Sequence, residues 1–410
     1  MKGSNAFHVM VKPIGSVCNM DCKYCFYLEK ENLYPENKNL KMNDSTLETF
    51  IRDYINSIDI PTVNFTWQGG EPTLLGVDYF ERIVKLQKKY SSGKIIQNSF
   101  QTNGLLLNDE WCSFFAANDF LVGVSIDGPS EINNKYRYYK GGQNSFAKVL
   151  EGLEYLQKYK VEFNTLTCVS KANQNKPLEV YNFLKSIGSK YIQFIPVVER
   201  AAKDEKESLR LVKPKYPKTA EVTKWSVDPV EYGNFLITIF DNWVRNDVAE
   251  VFIQTFDVAL ESFCGYKQSL CVFNKTCGNA IALEHNGDLY SCDHYVYPGN
   301  KLGNIINENI SSLVYSEDQI VFGNDKLNSL PKYCLDCEVR FACNGECPKH
   351  RFDFSPYGEY GLNYLCVAYK KFFNHINPFM KFMVTELNHN RPPANVMEWI
   401  KLNDKNEGNK

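Results

Sequence analysis

The sequence lacks the features that mark membrane-spanning, secreted and nucleic-acid-binding chains. Nowhere in its 410 residues do about 18 apolar residues follow one another, and the N-terminal stretch contains no apolar segment of signal-peptide length. Neither sign of charge dominates, since the chain contains 46 Lys and Arg and 48 Asp and Glu. It therefore has no long-range positive field that would attract the phosphate backbone of a nucleic acid. We therefore expect a cytoplasmic protein that binds neither a membrane nor a nucleic acid.

Internal repeats and low-complexity tracts are also absent, which argues against solenoid and fibrous architectures. The hydrophobic fraction of 44% is ordinary for a packed globular interior. At roughly 150 residues per domain, this length predicts two or three domains.

Cysteine is the residue whose use is unusual. Of 14 cysteines, three fall between Cys18 and Cys25 and nine between Cys264 and Cys366. A chain without an export signal sits where thiols stay reduced, so this clustering indicates metal or iron-sulfur ligation more than disulfides. The two cysteines outside the groups, Cys112 and Cys168, are expected to be small buried hydrophobes in a helix and a strand.

Short β-rich runs alternate with helical patterns through the first half of the chain. Six strands in such an alternation predict right-handed parallel crossovers and a sheet that stays open or curls into a barrel. Either form places a site at the carboxyl ends of the strands. The strands are predicted at Val9–Ile14, Val63–Trp67, Ile95–Gln101, Phe120–Ile126, Glu162–Val169 and Tyr191–Val197, and the helices at Ser45–Ile58, Val77–Tyr90, Asp109–Asn118, Phe146–Tyr159 and Pro177–Ile187.

After the last predicted strand the pattern changes. A charged stretch with two prolines, Glu199–Lys224, predicts a surface loop or linker, and helical spacing then returns at Pro229–Asp247 and Val251–Phe263. Periodicity fades through the cysteine-rich segment, which we expect metal to hold more than an apolar core. A final helix is predicted at Tyr369–Leu387.

The strongest chemical signal is the C-x3-C-x2-C run formed by Cys18, Cys22 and Cys25 after strand one. Three thiolates at this spacing can hold a four-iron cubane and leave one iron without a protein ligand. The alternative is a structural zinc site, which needs four closed ligands and would have to recruit His8 or a distant residue.

This run resembles the signature of the radical S-adenosylmethionine (SAM) enzymes, with Tyr24 at the aromatic position before the third cysteine. The resemblance implies a partial (β/α)6 barrel related to the TIM fold. It also implies that the open iron chelates the methionine part of S-adenosylmethionine, whose reductive cleavage gives a 5'-deoxyadenosyl radical. The protein would then supply position and exclude water.

Further positions match the SAM contacts of that family. The run Gly69-Gly70-Glu71-Pro72 stands after strand two, where backbone and a carboxylate can take the methionine ammonium. Ser125 and Arg137 offer a hydroxyl and a guanidinium for the methionine carboxylate. By the resemblance, the SAM contacts are Tyr24, Gly70, Ser125, Arg137 and Val198.

The second cysteine group contains eight thiols besides Cys264, which is the number needed for two four-cysteine sites. Spacing alone leaves two ribbon-type structural zincs open. The run resembles the SPASM extension of radical enzymes that modify peptides and proteins, and this implies two auxiliary 4Fe-4S clusters beside the SAM-binding one. By that pattern one cluster takes Cys271, Cys277, Cys292 and Cys347, and the other takes Cys334, Cys337, Cys343 and Cys366.

A further resemblance runs from about Val9 to Cys366. It is carried by the segments 18–27, 67–72, 101–104, 121–129, 193–195 and 291–294, and over them the sequence is similar to the anaerobic sulfatase-maturating enzymes. Within that family the chain length and the run Asn344-Gly345-Glu346-Cys347-Pro348 look most like the Bacteroides-type members, called chondro- or heparin-sulfatase regulators. The implied reaction oxidises Cys or Ser in the C/S-x-P-x-R motif of a sulfatase to 3-oxoalanine, or formylglycine. Asp293 is the implied proton acceptor, with His294 as a weaker rival. The implied partners are an unfolded or nascent sulfatase polypeptide and an electron donor such as flavodoxin or ferredoxin.

These signals predict a division into a radical SAM barrel at 1–225, a SPASM domain at 226–370, and a C-terminal helix with a polar tail at 371–410. Two other functions stay open at this point. One is a radical enzyme that forms thioether or other crosslinks in a peptide, and the other is a zinc-stabilised binding protein without catalysis. The sequence leaves the choice between a Cys and a Ser substrate undecided.

Overall fold

The computed structural model describes residues 6–34, 40–203, 209–214 and 219–407. Its first half is an alternation of six strands and six helices. The strands are β1 (His8–Lys12), β2 (Thr62–Trp67), β3 (Ile95–Thr102), β4 (Phe120–Ser125), β5 (Phe163–Val169) and β6 (Tyr191–Pro196). The helices are α1 (Asp44–Ser57), α2 (Val77–Tyr90), α3 (Asp109–Ala117), α4 (Ser130–Tyr136), α5 (Phe146–Lys158) and α6 (Pro177–Ser186).

The six strands are parallel neighbours in chain order, so the crossover prediction is confirmed. Every predicted strand and helix of this half is present, and the described residues add α4 and two short 3-10 helices, Leu28–Leu33 and Pro72–Leu75, that were not predicted. Local capping explains the sharp start of α1, because the Asn43 side chain accepts a hydrogen bond from the Thr46 N–H at 2.8 Å.

Alternate residues of each strand face the helices and form the core. On β2, Phe65 and Trp67 are fully buried, and the Phe65 ring meets Phe50 of α1 at 5.7 Å between centroids. Burying one such ring contributes about 2 kcal/mol. The residues between them, such as Asn64 and Thr66, face the inside of the curved sheet, where polar side chains remain partly accessible.

The second half adds elements to both edges of this sheet. They are β7 (Arg200–Lys203), β8 (Leu209–Leu211), β9 (Glu221–Val222), α7 (Pro229–Asn246), β10 (Phe252–Ile253), α8 (Gln254–Phe263), β11 (Ala280–Glu284), β12 (Asp288–Tyr290), β13 (Lys301–Asn304), α9 (Ile310–Val314), α10 (Glu317–Asn328), α11 (Lys332–Leu335), α12 (Arg340–Cys343), β14 (Arg351–Phe354), β15 (Tyr360–Asn363), α13 (Cys366–Asn388) and α14 (Val396–Glu407).

The complete sheet has ten strands in the order β10-β6-β5-β4-β3-β2-β1-β11-β12-β13. β11 pairs in parallel with β1, with Lys12 opposite Glu284, so the cysteine-rich half is joined to the barrel edge by backbone hydrogen bonds. The sheet thus builds a partial (β/α)6 barrel with an attached cysteine-rich domain. Among the described residues, no helix combines the length and apolarity that crossing a membrane would require.

Two sequence interpretations need correction. The stretch predicted as a surface loop, Glu199–Lys224, contains in its described parts the three-stranded antiparallel sheet β8-β7-β9. Its charged residues have partners, since the Arg200 guanidinium lies 4.4 Å from the centroid of the Phe352 ring. The predicted helix Val251–Phe263 begins as strand β10, because the Phe252 N–H donates to Lys190 O at 2.7 Å and extends the sheet beyond β6.

One of the two predicted domain limits falls between elements of the structure and the other falls inside a helix. Residue 225 lies between β9 and α7, whereas residue 370 lies inside α13, which begins at Cys366. Most of the predicted polar tail is taken by α14. The division into three segments stays a prediction.

Candidate functional site

The loop after β1 carries the first three cysteines to the carboxyl ends of the strands. Backbone hydrogen bonds tie this loop to the end of α4 and the segment after it, from the Lys23 N–H to Tyr136 O at 2.9 Å and from the Asp21 N–H to Tyr138 O at 3.0 Å. The thiol of Cys18 accepts the Met20 N–H at 3.3 Å. Three thiols are therefore presented on one anchored loop at the mouth of the barrel.

The donor chemistry of these thiols fits a strongly cationic group. Burial is the main cause that raises the pKa of Cys18 to about 11 and that of Cys22 to about 12, and the charge of the neighbouring Cys25 is a smaller cause in the same direction. Such thiols become thiolates only when a nearby positive centre replaces the lost hydration. An iron-sulfur cluster supplies that positive charge.

The glycine run after β2 lies directly on this cysteine loop. The Gly70 N–H donates to Gly15 O at 2.7 Å, and the Glu71 N–H donates to Val17 O at 2.8 Å. A Cβ atom at Gly70 would overlap the carbonyl oxygen of Val17. Only glycine therefore permits this close approach of two backbones.

The Glu71 carboxylate is held by several hydrogen bonds. Its buried carboxylate accepts hydrogen bonds from the Thr73 N–H at 3.1 Å, the Thr73 hydroxyl at 2.6 Å, the Thr102 hydroxyl at 2.8 Å and the Asn103 N–H at 2.7 Å. Burial raises the pKa of this carboxyl group, and the Asn103 and Thr73 hydrogen bonds oppose the rise. The carboxylate thus joins the loops after β2 and β3, and its predicted contact with an ammonium group stays a prediction.

Tyr24, Asp127 and Arg137 form a buried network beside the cysteine loop. The Tyr24 hydroxyl donates to Asp127 Oδ2 at 2.5 Å and accepts from an Arg137 NH group at 3.0 Å. Within the described chain the buried Nε of Arg137 has no hydrogen-bond partner. A buried N–H of this kind fits an anionic ligand group, because leaving it unpaired costs roughly 1–3 kcal/mol.

The other two predicted SAM contacts also lie at this mouth. The Ser125 hydroxyl, at the end of β4, accepts a hydrogen bond from the Gln101 side chain at 3.0 Å. Val198 is buried just after β6 and lines a small cavity of about 20 Å³ together with Phe26 and His294.

Asp293 is held by a lysine that sequence analysis missed. The Lys12 ammonium, at the end of β1, lies 2.6 Å from Asp293 Oδ1, and the Lys12 side chain is only 1% exposed. Burial alone would raise the pKa of Asp293. The charge of Lys12, together with smaller contributions from His294, the Lys12 hydrogen bond and Lys30, outweighs burial, and the pKa falls below its ordinary value. A lysine at the end of an otherwise apolar strand is the signal that could have revealed this ion pair.

His294, the rival acceptor, is in a different environment. Burial and the positive charge of Lys349 lower the pKa of His294 to about 3, so its imidazole is neutral near pH 7. Its Nδ1 lies 3.6 Å from the Cys347 sulfur.

The first predicted auxiliary group consists of Cys271, Cys277, Cys292 and Cys347, whose thiols lie close enough for their charges to interact although the residues are distant in sequence. Burial raises the pKa of Cys292 well above its ordinary value, and the neighbouring charges of Cys347 and Cys271 raise it further. The charge of Cys271 likewise raises the pKa of Cys277. The buried Lys326 ammonium donates to Cys271 O at 2.8 Å and its charge lowers the pKa of the Cys277 thiol.

The second predicted auxiliary group surrounds one cavity of about 20 Å³. Its walls include all four thiols of the group, Cys334, Cys337, Cys343 and Cys366. Burial raises the pKa of Cys366 to about 12, with the charges of Cys334 and Cys337 as the next causes. In the described ranges, no group of three or more His, Cys, Asp and Glu side chains is arranged to hold a single metal ion.

The three remaining cysteines stand apart from these groups. Cys112 is fully buried in α3, so its prediction as a small core residue is confirmed. Cys168 lies in strand β5 as predicted, but it is only partly buried, and its N–H donates to Asp127 at 3.0 Å beside Tyr24. Cys264 lies at the end of α8.

Comparisons with known proteins show the family of this chain. Residues 13–184 match the Radical SAM superfamily, and residues 271–338 match the SPASM iron-sulfur cluster-binding domain. A serine-type anaerobic sulfatase-maturating enzyme of Bacteroides thetaiotaomicron is 48% identical over 96% of this chain and 95% of its own. A cysteine-type enzyme of Clostridium perfringens is 34% identical over 90% of this chain and 96% of its own.

Solved structures give the same result. A structure described as native anSMEcpe with bound AdoMet and Cp18Cys peptide superposes with a TM-score of 0.80 at 33% identity, over 93% of this chain and 99% of its own. The predicted radical SAM barrel with a C-terminal SPASM domain is therefore confirmed, and the first of the three functional hypotheses is the one the relatives support. The chain belongs to the anaerobic sulfatase-maturating enzymes, which are radical SAM enzymes with a SPASM domain.

Proposed function

We propose that this member of the family oxidises the serine form of the C/S-x-P-x-R motif to formylglycine. Different side chains of the site bind the cluster, bind S-adenosylmethionine, accept the proton and accept the electron. The observation that carries the serine preference is the 48% identical relative, a serine-type enzyme matched along nearly the whole length of both chains. Oxidation of a sulfatase Cys or Ser to formylglycine is the reaction of the family as a whole.

The three thiolates of Cys18, Cys22 and Cys25 hold the first cluster. When bound, this cluster and S-adenosylmethionine together supply the radical that removes a hydrogen atom from the β-carbon of the target residue. The protein's own task is to hold the cofactor in place and to keep water out. The anchored cysteine loop and the glycine run packed on it support this proposal.

Five residues bind S-adenosylmethionine in this proposal. The backbone at Gly70, where no side chain fits, takes the methionine ammonium. The unpartnered Nε of Arg137 and the Ser125 hydroxyl take the methionine carboxylate. Tyr24 orients the Arg137 guanidinium, and Val198 provides an apolar contact.

Asp293 is the proton acceptor. Oxidation of a serine to an aldehyde removes one hydrogen atom, one further electron and the hydroxyl proton, so a base must stand beside the target. The pKa of Asp293 is lowered because Lys12, with smaller contributions from His294 and Lys30, overcomes the effect of burial, and this keeps its carboxylate ionised near neutral pH. An ionised carboxylate can accept the proton directly.

The two auxiliary groups accept the electron that the substrate loses. Cys271, Cys277, Cys292 and Cys347 hold one cluster, and Cys334, Cys337, Cys343 and Cys366 hold the other. The mutual proximity of the first four thiols and the single cavity lined by the second four support this division. A small electron carrier such as flavodoxin or ferredoxin supplies the electron that starts each turnover.

Paired peptides test the substrate proposal. We expect the anaerobically reconstituted protein to convert a peptide with Ser-x-Pro-x-Arg to formylglycine, measured by mass spectrometry as the loss of two hydrogen atoms. The matched peptide with Cys at the target position serves as the comparison, and one with Ala as the control that gives no aldehyde. Conversion of the Cys peptide alone would refute the serine assignment.

Single cysteine variants test the division of the auxiliary ligands. We expect Cys347→Ala to alter the same electron paramagnetic resonance signal as Cys271→Ala, because their thiols belong to one cluster despite 75 intervening positions. Cys334→Ala should alter the other signal, and Cys264→Ala, a cysteine outside both groups, should alter neither. A spectrum of Cys347→Ala that matches Cys334→Ala would show instead that the four local cysteines form a site of their own.

A further inference from the structure

A cavity of about 720 Å³ lies at the amino-terminal ends of β4, β5 and β6, at the opposite end of the barrel from the cysteine loop. Its walls come from the starts of these strands, from β10 and the first turns of α8, and from the loop before β5. The reaction site described above uses none of these residues. A cavity of this volume is within the range of those that bind small molecules or side chains.

One face of β5 runs from this cavity toward the reaction site. Asn164 lines the cavity, and Leu166 and Cys168 follow on the same face of the strand because side chains alternate. Cys168 donates its N–H to Asp127, which binds Tyr24. Four residues of extended strand span about 13 Å, which is the length of this connection.

The cavity walls are acidic. Asp119, Glu162 and Asp257 contribute three carboxylates, against the single ammonium group of Lys160. Asp257 is only partly exposed, and it forms no hydrogen bond or ion pair through its side chain with any other residue in the described ranges. Burial, with the charge of Glu261 as a second cause, raises the pKa of Asp257 to about 6, as expected for a carboxylate without a compensating partner.

Aromatic and aliphatic side chains in the cavity are unusually accessible. Tyr191 is 44% exposed and Phe252 is 37% exposed, and their rings stack at 5.2 Å between centroids. Leu121 adds a third apolar surface. A guanidinium group combines a charge for a carboxylate with a flat face that stacks on aromatic rings, so this lining suits arginine better than lysine.

We propose that this cavity binds the arginine of the substrate's C/S-x-P-x-R motif, with Asp257 as the carboxylate partner of its guanidinium group. The inference rests on the proposed function, since it concerns the same substrate. The arginine stands four residues after the target, and four residues of extended peptide again span about 13 Å. For a peptide that runs extended along this face of β5, a target residue at the mouth of the barrel places the arginine at the level of the cavity.

A binding experiment with two peptides and two variants tests this proposal. The probe is a fluorescein-labelled peptide with Ser-x-Pro-x-Arg, and its partner carries citrulline, which has nearly the same shape as arginine without the charge. Binding to the reconstituted protein is measured by fluorescence anisotropy, so turnover is not required. We expect the parental protein to bind the arginine peptide about tenfold or more tightly than the citrulline peptide.

We expect Asp257→Asn to weaken binding of the arginine peptide about tenfold and to bind both peptides equally. Asp119→Asn removes the same charge from an exposed position on the cavity rim and should keep the preference for arginine. Asp257→Ser is a second variant for the case that the amide folds poorly. The cavity assignment is overturned if the Asp257 variants keep the arginine preference, or if the parental protein shows none.

The two proposals fail in different ways. Conversion of the arginine peptide to formylglycine by the parental protein tests the function alone. If the peptide is converted but arginine and citrulline bind equally, the function stands and the cavity assignment is overturned. If neither peptide binds, the cavity assignment is overturned as well.

Discussion

Replacing Cys18, Cys22 and Cys25 together with alanine is expected to abolish cleavage of S-adenosylmethionine and to remove about one third of the iron, four of twelve atoms. The physical reason is that these thiolates hold the only cluster with an open iron in the proposed assignment, whereas the auxiliary thiols lie on other loops. The measurements are iron and sulfide content and the yield of 5'-deoxyadenosine.

The matched control for this variant is Cys112→Ala, which removes a buried thiol from α3 in the core. It should keep the parental iron content and the parental cleavage rate. Cleavage of S-adenosylmethionine by the triple variant would refute the assignment, and so would loss of all the iron from a triple variant whose melting temperature is unchanged.

Asp293→Asn is expected to reduce formylglycine formation roughly a hundredfold or more while 5'-deoxyadenosine is still produced. The amide keeps the shape of the carboxylate but cannot take the proton of the target hydroxyl. The ratio of 5'-deoxyadenosine to formylglycine should therefore rise sharply, and this ratio distinguishes lost proton transfer from lost cofactor binding.

The variant also leaves the buried Lys12 ammonium without its partner, which can cost several kcal/mol of stability. The double variant Lys12→Met with Asp293→Asn removes both charges and separates this effect from catalysis. His294→Gln is the matched control, because its imidazole is a neutral neighbour that faces Cys347. Parental formylglycine formation by Asp293→Asn with intact clusters would make His294 the next residue to test.

Much of the barrel was predictable because its signals are local. Strand and helix periodicity spans ten to fifteen residues, and the Asn43 cap acts within one turn of α1. The errors occur where a distant partner decides the local conformation. Phe252 is part of strand β10, which pairs with the edge of β6. In the charged stretch after β6, Arg200 of β7 contacts the distant ring of Phe352.

The sequence by itself determined the cysteine spacing, the order of strands and helices and the glycine at position 70, since each of these depends on neighbours along the chain. Only the tertiary structure decided three contacts. Lys12 forms an ion pair with Asp293, the Glu71 carboxylate accepts hydrogen bonds from the loop after β3, and Asp257 lines a cavity without a side-chain partner among the described residues. These contacts join residues far apart in sequence. Their charges and hydrogen bonds take effect only after packing has removed the side chains from water, so no local pattern records them.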